Sequence, residues 1–500
     1  MKTIYQSLNR ILGNPFFLLI FPIMAIILLL FYSFTTSPLY LNDGMDSAVF
    51  KTMGLAILQG KIPYTDIFDH KGPILYFINA FGQRIIPGRM GIFCLQVIGL
   101  SIALIFMYLT ARLITNNLWA FVSVVVATYI YGGVIQEGNQ CEEWMMYLFA
   151  IAIYFAMRYF TRESDSPHPL RYSLIYGLCF GLTFFIRPND AVAQIGGIMV
   201  GVIVYLLYRK QYRNAIANIL TFFGGFIIVL IPILIYFGIH HALGDLWYGL
   251  IGFNKEYSGG IINLLGACIA THKLALFLLF ATLGLMAYNS QHKDTLFFII
   301  PLCAFAIVLL GTSYFLHYYI VLVPIICLYL AFIALQKNHS VMILSILILC
   351  CTPTLESRPI LKVARKTTTS RVFTDLRSQG RIAEFYAETD KLFSLIPQNE
   401  RDEVWNYNLG WEGGNPDDKS TFSMLWHNGI VQTNLITYGA SEELLRRDDL
   451  AAKRPLWVVV GHNSWDKENI QNDSILNALY IPIAQTDTTV CNVELWQLKQ

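Results

Sequence analysis

Charge is what this 500-residue sequence has least of: Asp, Glu, Lys and Arg make up 14% of it, against 55% hydrophobic residues. A soluble globular chain is about 25% charged, so an ordinary water-soluble protein is excluded. With 35 basic and 33 acidic residues the formal charge is +2, which offers no basic surface for nucleic acid and no acidic tail. Cysteine is sparse as well. Cys94, Cys179, Cys303, Cys327, Cys350 and Cys351 lie inside apolar runs, where a thiol behaves as a small hydrophobe. Cys141, Cys268 and Cys491 match no metal-site or disulfide spacing. There is no internal repeat or low-complexity segment, and the C-terminal part has no GxGxxG or P-loop that would hold a nucleotide.

The few charges are unevenly spread. Residues 1–355 are about 9% charged and residues 356–500 about 25%, the second figure being the soluble norm. The sequence therefore predicts a mainly α, polytopic helical membrane domain over 1–355, followed by a small α/β domain over 356–500. A span needs about 20 mostly apolar residues. Candidates run from Pro15 to Tyr32, then centre on 90–111, 118–134, 143–160, 173–186, 191–208, 216–238, 273–288, 296–311, 319–335 and 340–353, about eleven spans. The first follows Lys2 and Arg10 but has no small-residue cleavage site, so it reads as an uncleaved anchor.

Arg112, Arg158, Arg162, Arg171, Arg209, Lys210, Arg213, Lys293 and Lys337 fall in alternate short loops, which the positive-inside rule assigns to the cytosol. The N-terminus is then inside, and the C-terminal domain and a long first loop (35–89) are outside. In the C-terminal part, the pattern predicts a helix over 373–395 and strands at Val404–Tyr407, Leu456–Val460 and Val493–Leu498.

The first outer loop concentrates the polar residues: Asp43 and Asp46, then Gly60-Lys61-Ile62-Pro63-Tyr64-Thr65-Asp66, then Asp69-His70-Lys71-Gly72-Pro73. Between and after them, Ala48–Leu58 and Ile74–Ile86 read as two short helices lying at the membrane surface, with Pro73 as a first helical residue. A sugar carried on a polyprenyl phosphate presents its reactive carbon at that depth. Its transfer needs a carboxylate to take the acceptor proton and a cation for the departing phosphate. Asp46 and Lys71 are the candidates, and an N-cap is the competing reading of Asp46.

This loop resembles the first outer loop of the GT-C glycosyltransferases, membrane enzymes that include protein O-mannosyltransferases and the lipid A aminoarabinose transferase. The features that carry the likeness are Asp46 after the first span, Gly60…Pro63-Tyr64-Thr65-Asp66, and Lys71-Gly72-Pro73 ahead of an aromatic-rich helix. The resemblance implies Asp46 as the catalytic carboxylate and Lys71 as the contact to the carrier phosphate. Ser47 stands where many members have a second acid, and Asp43 is the candidate to replace it.

Gly138-Asn139-Gln140-Cys141-Glu142-Glu143 is similar to a second-loop motif of bacterial members, which adds Glu142 and Glu143 to the catalytic candidates. Arg187-Pro188-Asn189 matches a turn in the same enzymes and adds Arg187 for the donor phosphate. Tyr64, Asp66, Asp69, His70, Asn189, His317 and Tyr318 are the candidate substrate-binding residues. Asp66, Asp69 and His70 are also the set that would serve a divalent cation (Mg or Mn), against the simpler reading of a capped turn.

The resemblance implies an inverting glycosyltransferase of the cytoplasmic membrane. It would move a sugar from a polyprenyl-phosphate donor to an envelope glycan, lipid, teichoic acid or protein on the outer face. The rivals are a transporter or lipid flippase, whose polar residues would lie near mid-membrane in matching halves, and a non-catalytic assembly protein.

Overall fold

A computed structural model describes residues 2–41, 44–257, 271–309, 316–351, 372–407, 425–431, 433, 450–461 and 474–499. Among the described residues, each of the eleven predicted apolar segments holds a helix. Seven are long and apolar enough to cross a bilayer: Pro15–Tyr32, Arg89–Ile114, Asn117–Val134, Cys141–Glu163, Pro188–Tyr208, Tyr212–Ile239 and His317–Leu335. The others are shorter: Leu170–Phe184, Lys273–Tyr288 and His339–Cys350, and Leu296–Leu309, which carries Pro301. The chain is a multi-pass membrane protein. Its lipid-facing side chains stay apolar, as Ile23, Ile27, Ile98 and Ile228 illustrate, because nothing in a bilayer interior hydrates a polar group.

An amphipathic helix, α1 (Lys2–Leu12), precedes the first span, α2 (Ile20–Tyr32). Alternating apolar and polar residues over so short a stretch gave it no signature in a search for spans. It is pinned by Asn117 Nδ2 donating to Asn9 O at 2.9 Å and by the Tyr108 hydroxyl on Leu12 O at 2.6 Å.

The first loop forms α3 (Met45–Leu58) and α4 (Pro73–Ile85) before α5 (Arg89–Ile114). The expectation of two surface helices is corrected for α3. Apolar Phe50 and Met53 are buried, and so are Ser47, Lys51 and Thr52 on its other faces. Two neighbours cause this. Helix α4 lies so close that a Cβ on Gly54 would stand 2.7 Å from Ala80 N. On the other side lies the C-terminal part: Trp426 Nε1 donates to Gln83 Oε1 at 2.8 Å, the Lys51 ammonium sits 4.3 Å from the Trp426 ring, and Gln59 Nε2 donates to Gly429 O at 3.1 Å.

Next come α6 (Asn117–Val134), α7 (Cys141–Arg158) and α8 (Leu170–Phe184). The short α9 (Pro188–Ala191) follows, then α10 (Gly197–Tyr208) and α11 (Tyr212–Ile239). Helices α8 and α11 meet at backbone distance, with a Cβ on Gly177 falling 2.0 Å from Phe222 O, the close approach that small residues permit between membrane helices.

In the C-terminal part, helix Val372–Phe393 covers a four-stranded sheet of order β1-β2-β4-β3. The strands are β1 (Val404–Tyr407), β2 (Trp457–Gly461), β3 (Tyr480–Gln485) and β4 (Val493–Leu498). Strands β1 and β2 pair in parallel, and the β2–β4 and β3–β4 pairs are antiparallel. Period-two alternation sorts Val404, Trp457, Val459 and Leu495 to the face under the helix, and Trp405, Val458, Val460 and Trp496 to the other. Strand β3 was not expected from the sequence, because Pro482 interrupts it and its middle is exposed.

Candidate active site

Two turns distant in sequence are joined by their backbones. Gly72 N donates to Ile186 O at 2.9 Å and Ile74 N to Phe185 O at 3.0 Å. The contact has no room for a side chain, since a Cβ on Gly72 would lie 2.1 Å from Phe185 O. Lys71 is thereby held beside Arg187, whose own turn closes through Arg187 N on Thr183 O at 2.8 Å. Pro73 opens α4, where a missing N–H costs nothing.

The Lys71 backbone is gripped on both sides. Tyr64, in the left-handed region at φ 69, donates its hydroxyl to Lys71 O at 2.6 Å. Lys71 N donates to the Tyr76 hydroxyl at 3.0 Å, and that hydroxyl donates to Asp69 Oδ2 at 2.8 Å. Burial works against the Lys71 charge, but Asp69 foremost, with Cys141, Tyr318 and Asp46, holds its ammonium above the ordinary value of 10.5. The lysine stays cationic.

Asp46 stands half-buried in the first turn of α3. It is not a cap, because the N-cap position is Gly44 and no side chain caps this helix. Burial raises its carboxyl above 3.8, His317 and Lys71 draw it down, and Glu142 and Asp69 push it up again, with a net rise. Asp46, Lys71, His317, Glu142 and Asp69 therefore act on one another as a single cluster.

Arg187 closes that cluster. Its Nη1 contacts Glu142 Oε1 at 2.5 Å, its Nε bonds Asp190, and its guanidinium lies 4.7 Å from the Tyr318 ring. Burial opposes its charge, but Asp190 and Glu142 hold its pKa well above the usual arginine range. Glu142 also lies 4.0 Å from His317 Nε2 and accepts from Cys141 Sγ at 3.0 Å, and His317 Nδ1 pairs with Gln136.

The remaining candidates divide. Glu143 turns into the bundle, completing a capping box with Gln140 and bonding Tyr131. Its place is structural. Asp66 is exposed and accepts Ile62 N at 2.6 Å, so it caps its turn away from Asp69 and His70. Among the described residues no group of three His, Cys, Asp or Glu could hold a metal ion, and the set proposed for a cation does not fit one. Tyr64 is packed against Phe68, Tyr76 and Phe237 and supports the site without facing it. Asn189 is exposed in α9. Asp43 lies outside the described residues.

Several contributors were missed in the sequence. Asn139, in the left-handed region at φ 58, donates to Ser47 Oγ at 3.1 Å and Asn79 Oδ1 at 2.8 Å, and accepts from Trp144 Nε1 at 3.1 Å. It ties the second loop to the residue after Asp46. Tyr76 and Asp190 were also missed. Each acts through a partner, and such pairings leave no mark in local sequence.

Residues 70–237 match the family model described as dolichyl-phosphate-mannose-protein mannosyltransferase. The chain is similar in fold to the crystal structure of ArnT from Cupriavidus metallidurans bound to undecaprenyl phosphate. The TM-score is 0.60 at 10% identity, over 97% of this chain and 98% of that one. The oligosaccharyltransferase of Archaeoglobus fulgidus in its apo form gives 0.46 at 12% identity, over 90% and 70%. Comparison with curated proteins gives no match. The chain has the fold of the GT-C membrane glycosyltransferases. The family match runs from the Lys71 turn through the second loop to α11.

Proposed function

We propose that this protein is an inverting glycosyltransferase that takes a sugar from a polyprenyl-phosphate donor and passes it to an envelope acceptor (glycan, lipid, teichoic acid or protein). The observation that carries the reading is the docking of the Lys71-Gly72-Pro73 turn onto the Arg187 turn, which sets Lys71 beside Arg187 within electrostatic reach of Asp46. The ArnT likeness supports a lipid-phosphate donor, because that relative was crystallised with undecaprenyl phosphate.

In the proposed reaction Asp46 takes the proton of the acceptor hydroxyl. The oxygen attacks the anomeric carbon from the face opposite the phosphate, the carbon–oxygen bond to phosphate breaks, and the electron pair leaves with the phosphate. Lys71 meets the charge that develops there. Arg187, already paired with Glu142 and Asp190, adds its field and keeps Glu142 in place. The lysine and arginine bias of the short loops supports an N-terminus in the cytosol. The site and the domain over 356–500 then face the outer side of the cytoplasmic membrane, where that domain would cap the site and select the acceptor.

The test is donor-dependent product formation by the purified protein in detergent, where a transporter or flippase has no second compartment and forms no product. Asp46→Asn and Lys71→Ala should each abolish transfer at unchanged expression. Near-normal transfer by both variants refutes the mechanism.

A further inference from the structure

One short polar contact at the site is not used by the chemistry above. Lys71 Nζ lies 2.6 Å from Nε2 of the preceding residue, His70. An ammonium only donates, so this imidazole nitrogen accepts, and the ring is neutral with its proton on Nδ1. That nitrogen lies 3.4 Å from Asp69 Oδ1, while the other oxygen of Asp69 is held by Tyr76 at 2.8 Å. The ring is held by the contact at Nε2 and by its packing. It stacks on Phe253, centroids 5.4 Å apart and planes 27° apart, and the His70 carbonyl accepts Asn254 Nδ2 at 2.9 Å. Burial first, and then the Lys71 charge, outweigh Asp69 and push the imidazole down to about 4. The acceptor nitrogen therefore stays unprotonated at neutral pH.

We propose that Asp69 and His70 are positioning residues that aim the Lys71 ammonium at the departing phosphate, a step that rests on the glycosyl-transfer reading. A lysine ammonium on its flexible four-carbon stem has no preferred direction of its own. With one N–H engaged by His70 Nε2, the other two are directed away from the ring. Asp69 Oδ1, 3.4 Å from Nδ1, favours the tautomer with its proton there through its charge. The phosphate oxygens gain negative charge only as the sugar–oxygen bond breaks, so an aimed cation accelerates turnover more than it tightens donor binding.

Two substitutions separate aiming from packing. His70→Phe keeps a flat ring on Phe253 and removes the acceptor. His70→Gln removes the ring and keeps an oxygen acceptor and an N–H donor. In the purified full-length protein with a polyprenyl-phosphate sugar, His70→Phe should lower kcat roughly 10- to 100-fold with little change in donor KM, and His70→Gln should recover most of the loss. A fully active His70→Phe, or a His70→Gln as impaired as His70→Phe, overturns the proposal.

If the wild-type protein transfers no sugar, the glycosyltransferase reading fails on its own terms. The His70–Lys71 link is then read from the rate at which a soluble acylating reagent modifies Lys71, followed by mass spectrometry. Loss of an acceptor disfavours the charged amine, so His70→Phe should be acylated several-fold faster than wild type and His70→Gln should not. Equal rates in all three proteins overturn the link.

Discussion

Adding one methyl group at Gly72 should disable the site without touching any charged residue. The backbone there is ordinary, φ −77 and ψ 153, so alanine meets no conformational penalty. The obstacle is steric, because the new Cβ would stand 2.1 Å from Phe185 O and 2.3 Å from Phe185 C. That is roughly 1.5 Å short of ordinary van der Waals contact, and both opposing atoms are backbone. The turns must separate. Separation weakens Gly72 N on Ile186 O and Ile74 N on Phe185 O, worth about 1 kcal/mol each, and the strain of overpacking adds about 1–3 kcal/mol.

The docked turn should lose about 3–5 kcal/mol in all. A displacement of about 1 Å between Lys71 and its surroundings should cut turnover roughly 100-fold. The assay is donor-dependent transfer in detergent, with thermal unfolding in parallel. Gly60→Ala is the control. Gly60 has φ +85 with nothing within 4 Å, so alanine there pays about 1–2 kcal/mol of backbone strain and leaves transfer near wild type. A Gly72→Ala protein that transfers normally would show that the docking of the two turns does not set the position of Lys71.

Other outcomes follow from the same contacts. Burial raises the Asp46 carboxyl above 3.8, so its ionised form strains the fold at neutral pH. Asp46→Asn should therefore raise the melting temperature at pH 7 while abolishing transfer, with the gain fading as pH falls toward the unfolded value of 3.8. Because Lys71 draws that carboxyl down, the acid limb of the rate profile should move to higher pH in Lys71→Met, measured on whatever residual turnover survives. Arg187→Lys keeps a charge but loses the fork shared by Glu142 and Asp190. It should lower stability by about 3–5 kcal/mol, the cost of leaving a buried carboxylate unpaired, readable by thermal unfolding. Trp426→Phe removes the indole N–H that reaches Gln83 and shrinks the ring that Lys51 faces. It should weaken C-terminal docking by about 1 kcal/mol, seen as faster protease cleavage near residue 426.

Much of the scaffold was legible because bilayers and sheets impose simple periods. The apolar runs marked a helix at each of the eleven predicted spans, seven of them long enough to cross a bilayer, and Val404–Tyr407 and Val493–Leu498 were read with the bounds that the structure has. Pro73 marked the start of α4 for a local reason that needs no tertiary information. The cluster was legible only in part. Asp46 and Lys71 stood out by residue type in a sparsely charged membrane domain, and the family resemblance added Glu142, Arg187 and His317. What failed was the environment of each group. Asp66 and Asp69 look equivalent in sequence, yet one caps an exposed turn and the other is buried on Tyr76. Glu142 and Glu143 are adjacent, yet helical rotation sends one to Arg187 and the other to Tyr131. The burial of α3 was unreadable because part of its cover, Trp426 and Gly429, comes from residues hundreds of positions away.

That cover has a consequence for biogenesis. Trp426 meets Gln83 across 343 positions of sequence, so a ribosome has threaded nearly every span into the bilayer before the piece that shields Lys51 emerges. Nascent protein must wait with a buried-type lysine and glutamine still wet. A chain stopped short of Trp426 should insert normally and yet present an unfinished surface, the kind of defect that envelope proteases and chaperones are suited to detect.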